Sequence, residues 1–155
     1  MTIARSCFAV GLLAALGGCS NPIGPSAEGE LQMAKAQWDQ IGMTSYTFEL
    51  RRACYCGYAD AGYRVRVVVA NGTAIDAYNT DLEATLTPAH LATMPTIEGL
   101  FTIIRNAIDQ SADRIRVRYD AQTGVPLSIN IDYRRNAIDD ELSIAVYSLD
   151  PGSQP

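Results

Sequence analysis

The chain has 155 residues, enough for one domain with a buried core. With 48% hydrophobic and 19% charged residues it falls among ordinary globular proteins, which excludes an intrinsically disordered chain. A net charge of −5, with one lysine (Lys35) beside eleven arginines, excludes the clustered basic surface that holds a nucleic-acid backbone.

The chain opens as an export signal. Arg5 supplies a positive start, and Cys7-Phe-Ala-Val-Gly-Leu-Leu-Ala-Ala-Leu16 supplies an apolar run of ten residues. A membrane-spanning helix needs about twenty apolar residues to cross ~30 Å of hydrocarbon, so ten fit the hydrophobic centre of a signal peptide. The next residues, Leu16-Gly17-Gly18-Cys19, resemble the bacterial lipobox. Only a thiol can form the thioether that carries the lipid, and small residues before the cut suit the peptidase. The resemblance implies diacylglyceryl transfer to the sulfur of Cys19, removal of residues 1–18 and acylation of the new amine. Two or three chains make a stable anchor, each buried methylene contributing about 0.8 kcal/mol. By the sorting rule of such lipoproteins, Ser20 carries no inner-membrane retention signal, which implies the outer membrane facing the periplasm. The alternatives are cleavage near Ala14 or Ala15, giving a soluble secreted protein, and an accidental apolar start. Residues 19–29 are polar and rich in Pro and Gly, and read as a flexible tether.

A single α+β domain is expected over residues 30–150, with a disordered tail at 151–155. Leu31, Ala34, Trp38 and Ile41 recur at helical spacing, and Gly42 stops the helix. Tyr46, Phe48 and Leu50 alternate with polar residues in a strand running into Cys54-Tyr55-Cys56-Gly57. Tyr63, Val65, Val67 and Val69 form a second strand, Asn71-Gly72 a hairpin turn, and residues 73–78 a third strand. A loop punctuated by Pro88 and Pro95 follows. Thr96 then caps a helix carrying Ile97, Leu100, Phe101, Ile104, Ala107 and Ile108 on one side. Strands at 115–119, 127–133 and 142–149 complete the order, with a turn at 121–124.

Each half thus reads as one helix and three antiparallel strands, and Arg64-Val-Arg-Val67 matches Arg114-Ile-Arg-Val117 at a 50-residue offset. That pattern suggests a tandem duplication of 30–80 and 96–150, with helices covering one face of the sheet or sheets. The bland alternative is coincidence between two ordinary hairpins.

Trp38, Tyr46-Thr47-Phe48, Cys54-Tyr55-Cys56, Arg64-Val65-Arg66-Val67 with Asn71-Gly72, Gly124-Val125-Pro126, Ile131-Asp132 and Asp139-Asp140-Glu141 follow in order along the chain. Together they resemble the small bacterial lipoproteins of domain-of-unknown-function family 6174. The resemblance covers nearly all of the chain after residue 18 and implies an exported lipoprotein with one domain. It brings no established activity, substrate or catalytic residue.

Three features could carry chemistry. Cys54 and Cys56 are the cysteines left once Cys7 and Cys19 are set aside, and export would place them in an oxidising compartment. They could form a local disulfide, a free or redox-active pair, or part of a metal site. In an extended segment their Cα atoms would stand about 6.6–6.8 Å apart, the upper edge of the disulfide range, and Gly57 permits a bend. Zinc is short of ligands, with His90 the one further histidine, and copper(I) between two thiolates is the remaining metal chemistry. Arg64, Arg66, Arg114, Arg116 and Arg118 project from non-core strand faces and could hold an anionic partner. Pairing with Glu49, Asp76 and Asp132 would instead make them a solvated face. Asp139-Asp140-Glu141 reads as a polar hairpin tip.

No nucleophile motif, phosphate loop or metalloprotease helix is present, and no cofactor is implied. The expectation is a non-enzymatic envelope lipoprotein, a binding module whose protein or small-ligand partner the residues do not identify. A thiol-dependent redox or copper-handling protein is the rival.

Overall fold

A computed structural model of the chain describes residues 26–58, 60–137 and 139–152. It contains one seven-stranded antiparallel sheet with helices on one face, an α+β architecture.

Helix α1 (Ala27–Ile41) starts where the hydroxyl of Ser26 accepts the Gly29 N–H at 3.2 Å, with Glu28 and Glu30 favourably placed at the positive end of the helix dipole. The helix therefore extends three residues into the 19–29 stretch expected to be tether. Gly29 costs about 1 kcal/mol relative to alanine, and the cap and acidic first turn offset it. Gly42, at φ 66°, terminates α1 in the left-handed conformation.

The next elements are β1 (Tyr46–Cys54), β2 (Arg64–Ala70), β3 (Thr73–Asn79) and the two-residue β4 (Ala84–Thr85). Asn71 and Gly72, at φ 50° and 74°, make the β2–β3 turn as their residue types require. Where a plain loop was expected, Pro88–Leu91 forms the short helix α2, with Thr87 as its cap and Pro88 in its first turn. Helix α3 (Ile97–Asp109) follows, capped by Thr96, whose Oγ1 accepts the Gly99 N–H at 3.1 Å. Strands β5 (Arg114–Tyr119), β6 (Pro126–Asp132) and β7 (Glu141–Pro151) complete the sheet. β7 takes in Pro151, the first residue of the expected disordered tail, and Gly152 beyond it donates its N–H to the Ser45 carbonyl at 3.2 Å.

The strand order is β4-β3-β2-β1-β7-β6-β5, all neighbours antiparallel. The expected tandem repeat is not seen in this topology. In one half the strand after the helix, β1, is central; in the other, β5, it is at the edge. Those two strands point in opposite directions, while α1 and α3 pack on the same face and touch each other. The two units therefore have opposite hands, and no rotation superposes them. The matching Arg-x-Arg-Val segments fall on β2, second strand of its unit, and β5, first strand of the other.

The core lies between the helices and one sheet face. Leu31, Ala34 and Trp38 from α1, and Ile97, Leu100, Phe101, Ile104 and Ala107 from α3, are buried against Phe48, Leu50, Val65, Val67, Ile129, Ile131 and Ile144. Each large apolar side chain so buried contributes about 1.5–3 kcal/mol. A polar clasp joins three elements inside this layer. Glu98 accepts the Trp38 indole N–H at 2.9 Å and the Tyr46 hydroxyl at 2.8 Å, and that hydroxyl accepts the Ile97 N–H at 2.9 Å. Burial pushes the Tyr46 phenol well above its ordinary value of 10.0. No helix among the described residues is long and apolar enough to cross a membrane.

Candidate functional site

Alternation along each strand that sends apolar side chains to the helices sends the intervening ones to the opposite, uncovered face. All five arginines singled out in the sequence lie on that open face, in two columns. Arg64 and Arg66 stand on β2; Arg114, Arg116 and Arg118 stand on the edge strand β5. Four strand steps separate the columns, about 19 Å at ~4.8 Å per step.

The columns differ in charge balance. Glu49 on β1 reaches Arg66 at 3.4 Å and Arg64 at 3.9 Å, so one carboxylate serves both cations. The Arg64 guanidinium also lies 4.1 Å from the centre of the Tyr147 ring, which a bulge in the β1–β7 pairing brings onto this face. On β5, Arg114 and Arg116 have no carboxylate at salt-bridge distance among the described residues. Of the expected partners, Glu49 pairs as anticipated. Asp76 caps the Ala77 N–H at 2.9 Å, and Asp132 faces Arg114 across the ladder without joining it.

The cysteine loop closes one end of the open face. The chain bends after Cys54, bringing Cα of Cys54 and Cys56 to 5.2 Å and their sulfurs into contact as a close pair. Tyr55 between them is 82% exposed. The loop is fixed from beneath by Arg52, which sequence reasoning missed. Arg52 continues the Tyr46, Phe48, Leu50 series onto the core face, where it is 5% exposed. Its guanidinium donates to both oxygens of Asp60 at 2.7 and 2.9 Å and to the Thr93 carbonyl at 3.2 Å, and lies 3.7 Å from the centre of the Tyr58 ring. Asp60, 2% exposed, is fully committed to this pair.

Between the cysteine loop and the β5 column lies a cleft of about 750 Å³, lined by Cys54, Tyr55 and Glu141 towards β1 and β7 and by Arg114, Arg116 and Asp132 towards β5 and β6. A second, smaller cavity of about 380 Å³ runs between α1 and α3 over Leu31 and Phe101. Of Asp139-Asp140-Glu141, read as a polar hairpin tip, Asp139 and Asp140 end the β6–β7 connection and Glu141 opens β7, and Asp139 and Glu141 also line the larger cleft. His90 lies on the short α2 and lines a small pocket with Asp60 and Asn79, which neither cysteine lines. Among the described residues no three His, Cys, Asp or Glu side chains are placed to hold a metal ion. The lipid-attachment candidate Cys19 and the whole export signal lie outside the described residues.

A family model described as a family of unknown function, DUF6174, matches residues 30–151. No curated protein matches the chain, and no solved structure matches it.

Proposed function

The chain belongs to a family of unknown function, DUF6174, and from that membership, its fold and its first residues we propose an exported lipoprotein whose domain is a non-catalytic binding module. In this reading residues 1–18 are removed, Cys19 carries the lipid, and the domain stands on the periplasmic side of the outer membrane. The support for the anchor is the Leu16-Gly17-Gly18-Cys19 run and the apolar decapeptide before it.

One observation carries the binding reading. The sheet is sealed by helices on one face and left open on the other, where an arginine column on β5 stands without carboxylate partners among the described residues, on a chain of net charge −5. Like charges at i, i+2 on one strand repel, and an oppositely charged ligand relieves that repulsion. The test is a photo-crosslinking residue at position 116, on the open face, or at position 32, on the outside of α1, with adducts of any size read by mass spectrometry from native cells. Discrete adducts from position 116 and none from position 32 support the reading. Equal yields, or none from position 116, contradict it.

The Cys54–Cys56 contact favours a second reading, thiol-disulfide exchange. In the chain-entropy account a bridge closing three residues stabilises a fold by only ~1.6 kcal/mol, against about 3 kcal/mol for fifteen, so such a bridge does little structurally. Alkylation followed by mass spectrometry separates the two. A pair that opens in mild reductant and re-forms in air supports exchange; a pair that resists mild reductant removes it.

A further inference from the structure

The register of the sheet sets out the floor of the larger cleft in two transverse rows. In the first, Arg114 faces Asp132, which faces Glu141. In the second, Arg116 faces Asn130, which faces Ser143, which faces Ala53. Directly opposed residues of an antiparallel pair project to the same side, so each row lies across the open face. The short side chains of Ala53 and Ser143 leave the floor low. The Ser143 hydroxyl and Asn130 Oδ1 satisfy each other at 2.9 Å.

Charge in this cleft is separated but not neutralised. Arg114 and Arg116 stand at its β5 side with no carboxylate at salt-bridge distance among the described residues, although Asp132 is the direct neighbour of Arg114. Asp132 Oδ1 is buried and has no hydrogen-bond partner among the described residues. Arg114 and Asp132 stand side by side without pairing, so one cavity offers both a cation and a carboxylate to a ligand. Two strand steps, about 10 Å between Cα atoms, separate the cation column from Glu141 on β7. Arg114, Arg116 and Glu141 all line the cleft, and that spacing is on the scale of a dipeptide, whose backbone spans about 7 Å when extended.

We propose that this cleft binds a small zwitterion, a short peptide with free termini, its carboxylate received by Arg114 and Arg116 and its ammonium by Asp132 and Glu141. The site rests on the open face being a binding surface and is independent of lipid attachment. A purely anionic ligand would meet Asp132, Asp139 and Glu141 as like charges, and a purely cationic one would meet the two arginines. Tyr55, exposed at the cleft's other side, offers an aromatic ring to the peptide side chains.

Titration of the full chain with L-alanyl-L-alanine, followed by calorimetry and by backbone amide NMR shifts, tests the site. Saturable binding is expected, with shifts centred on Arg116, Asn130 and Asp132. N-acetylation or C-amidation of the dipeptide should each weaken it at least tenfold. Arg116→Ser and Glu141→Gln, both exposed, should each weaken it at least tenfold, and Lys35→Gln on the helical side should leave it unchanged. Absence of saturation, or equal binding of the blocked dipeptides, overturns the site. Sulfate saturating the β5 arginines where the dipeptide does not would overturn the zwitterion site and leave the open face standing as an anion-binding surface.

Discussion

The indole N–H of Trp38 donates to Glu98 at 2.9 Å and ties α1 to the first turn of α3 across sixty residues of sequence. Glu98 also accepts the Tyr46 hydroxyl at 2.8 Å, so a single carboxylate organises two helices and the central strand. Glu98→Ala strands both donors in the half-buried layer and should cost about 2–3 kcal/mol, read from urea denaturation. Trp38→Phe removes one donor with its partner's other bond intact and should cost less. Equal stability of wild type and Glu98→Ala contradicts the clasp.

The Arg52–Asp60 pair makes a contrasting prediction because both members are buried. Asp60→Ala leaves a guanidinium uncompensated in the core and should destabilise by about 3–5 kcal/mol. Replacing both members, as Arg52→Met with Asp60→Leu, should cost markedly less than the sum of the single changes. Strict additivity in a double-mutant cycle would show that the two side chains do not act as a pair.

Gly124 has φ 74°, and an added Cβ would run into the Ala34 carbonyl of α1. Gly124→Ala should therefore cost about 2 kcal/mol or more, combining left-handed strain with a backbone clash. Gly72→Ala shares the positive φ but meets open space, and should cost only about 1 kcal/mol. Thermal melts of the two variants check the ordering; a reversed order refutes the packing of the β5–β6 turn against α1.

Asp120 caps that same turn, accepting from the Thr123 N–H and hydroxyl at 2.8 Å each and from the Gln122 N–H at 3.1 Å. These bonds hold its carboxyl below the ordinary aspartate value of 3.8, the Thr123 backbone N–H having the largest effect. A lowered folded pKa stabilises the fold above the unfolded value, and that contribution disappears as pH falls from about 4 towards the folded value. Denaturant midpoints measured between pH 5 and pH 2 should fall less steeply in Asp120→Asn than in wild type. Parallel slopes would contradict the capping role.

Much of the fold is legible because it depends on local periodicity. The α3 stripe from Ile97 to Ala107, the Asn71-Gly72 turn and the Thr96 cap all follow from residues within one turn of each other. Arg52 escaped notice because its burial depends on Asp60 and Tyr58 folding back over it, and nothing in the strand itself marks that return. The early start of α1 turned on Ser26, whose cap outweighs the neighbouring glycine. The repeat misled because similar alternation arises in any hairpin with one buried face, whatever its place in the sheet.

The arginines were legible as an open-face feature, and their separation into two columns was not. That separation follows from β7 inserting beside β1, a pairing of residues about one hundred apart in sequence that no short pattern encodes. The rows Arg114–Asp132–Glu141 and Arg116–Asn130–Ser143 were hidden for the same reason, since they exist only once the register of β5, β6 and β7 is set.

Intact-mass analysis of the protein extracted from its native envelope tests the central claim most directly. The account predicts a chain beginning at Cys19 and heavier by a diacylglyceryl group, with or without a further acyl chain on the amine. A free thiol on Cys19, or residues 1–18 still attached, would contradict it.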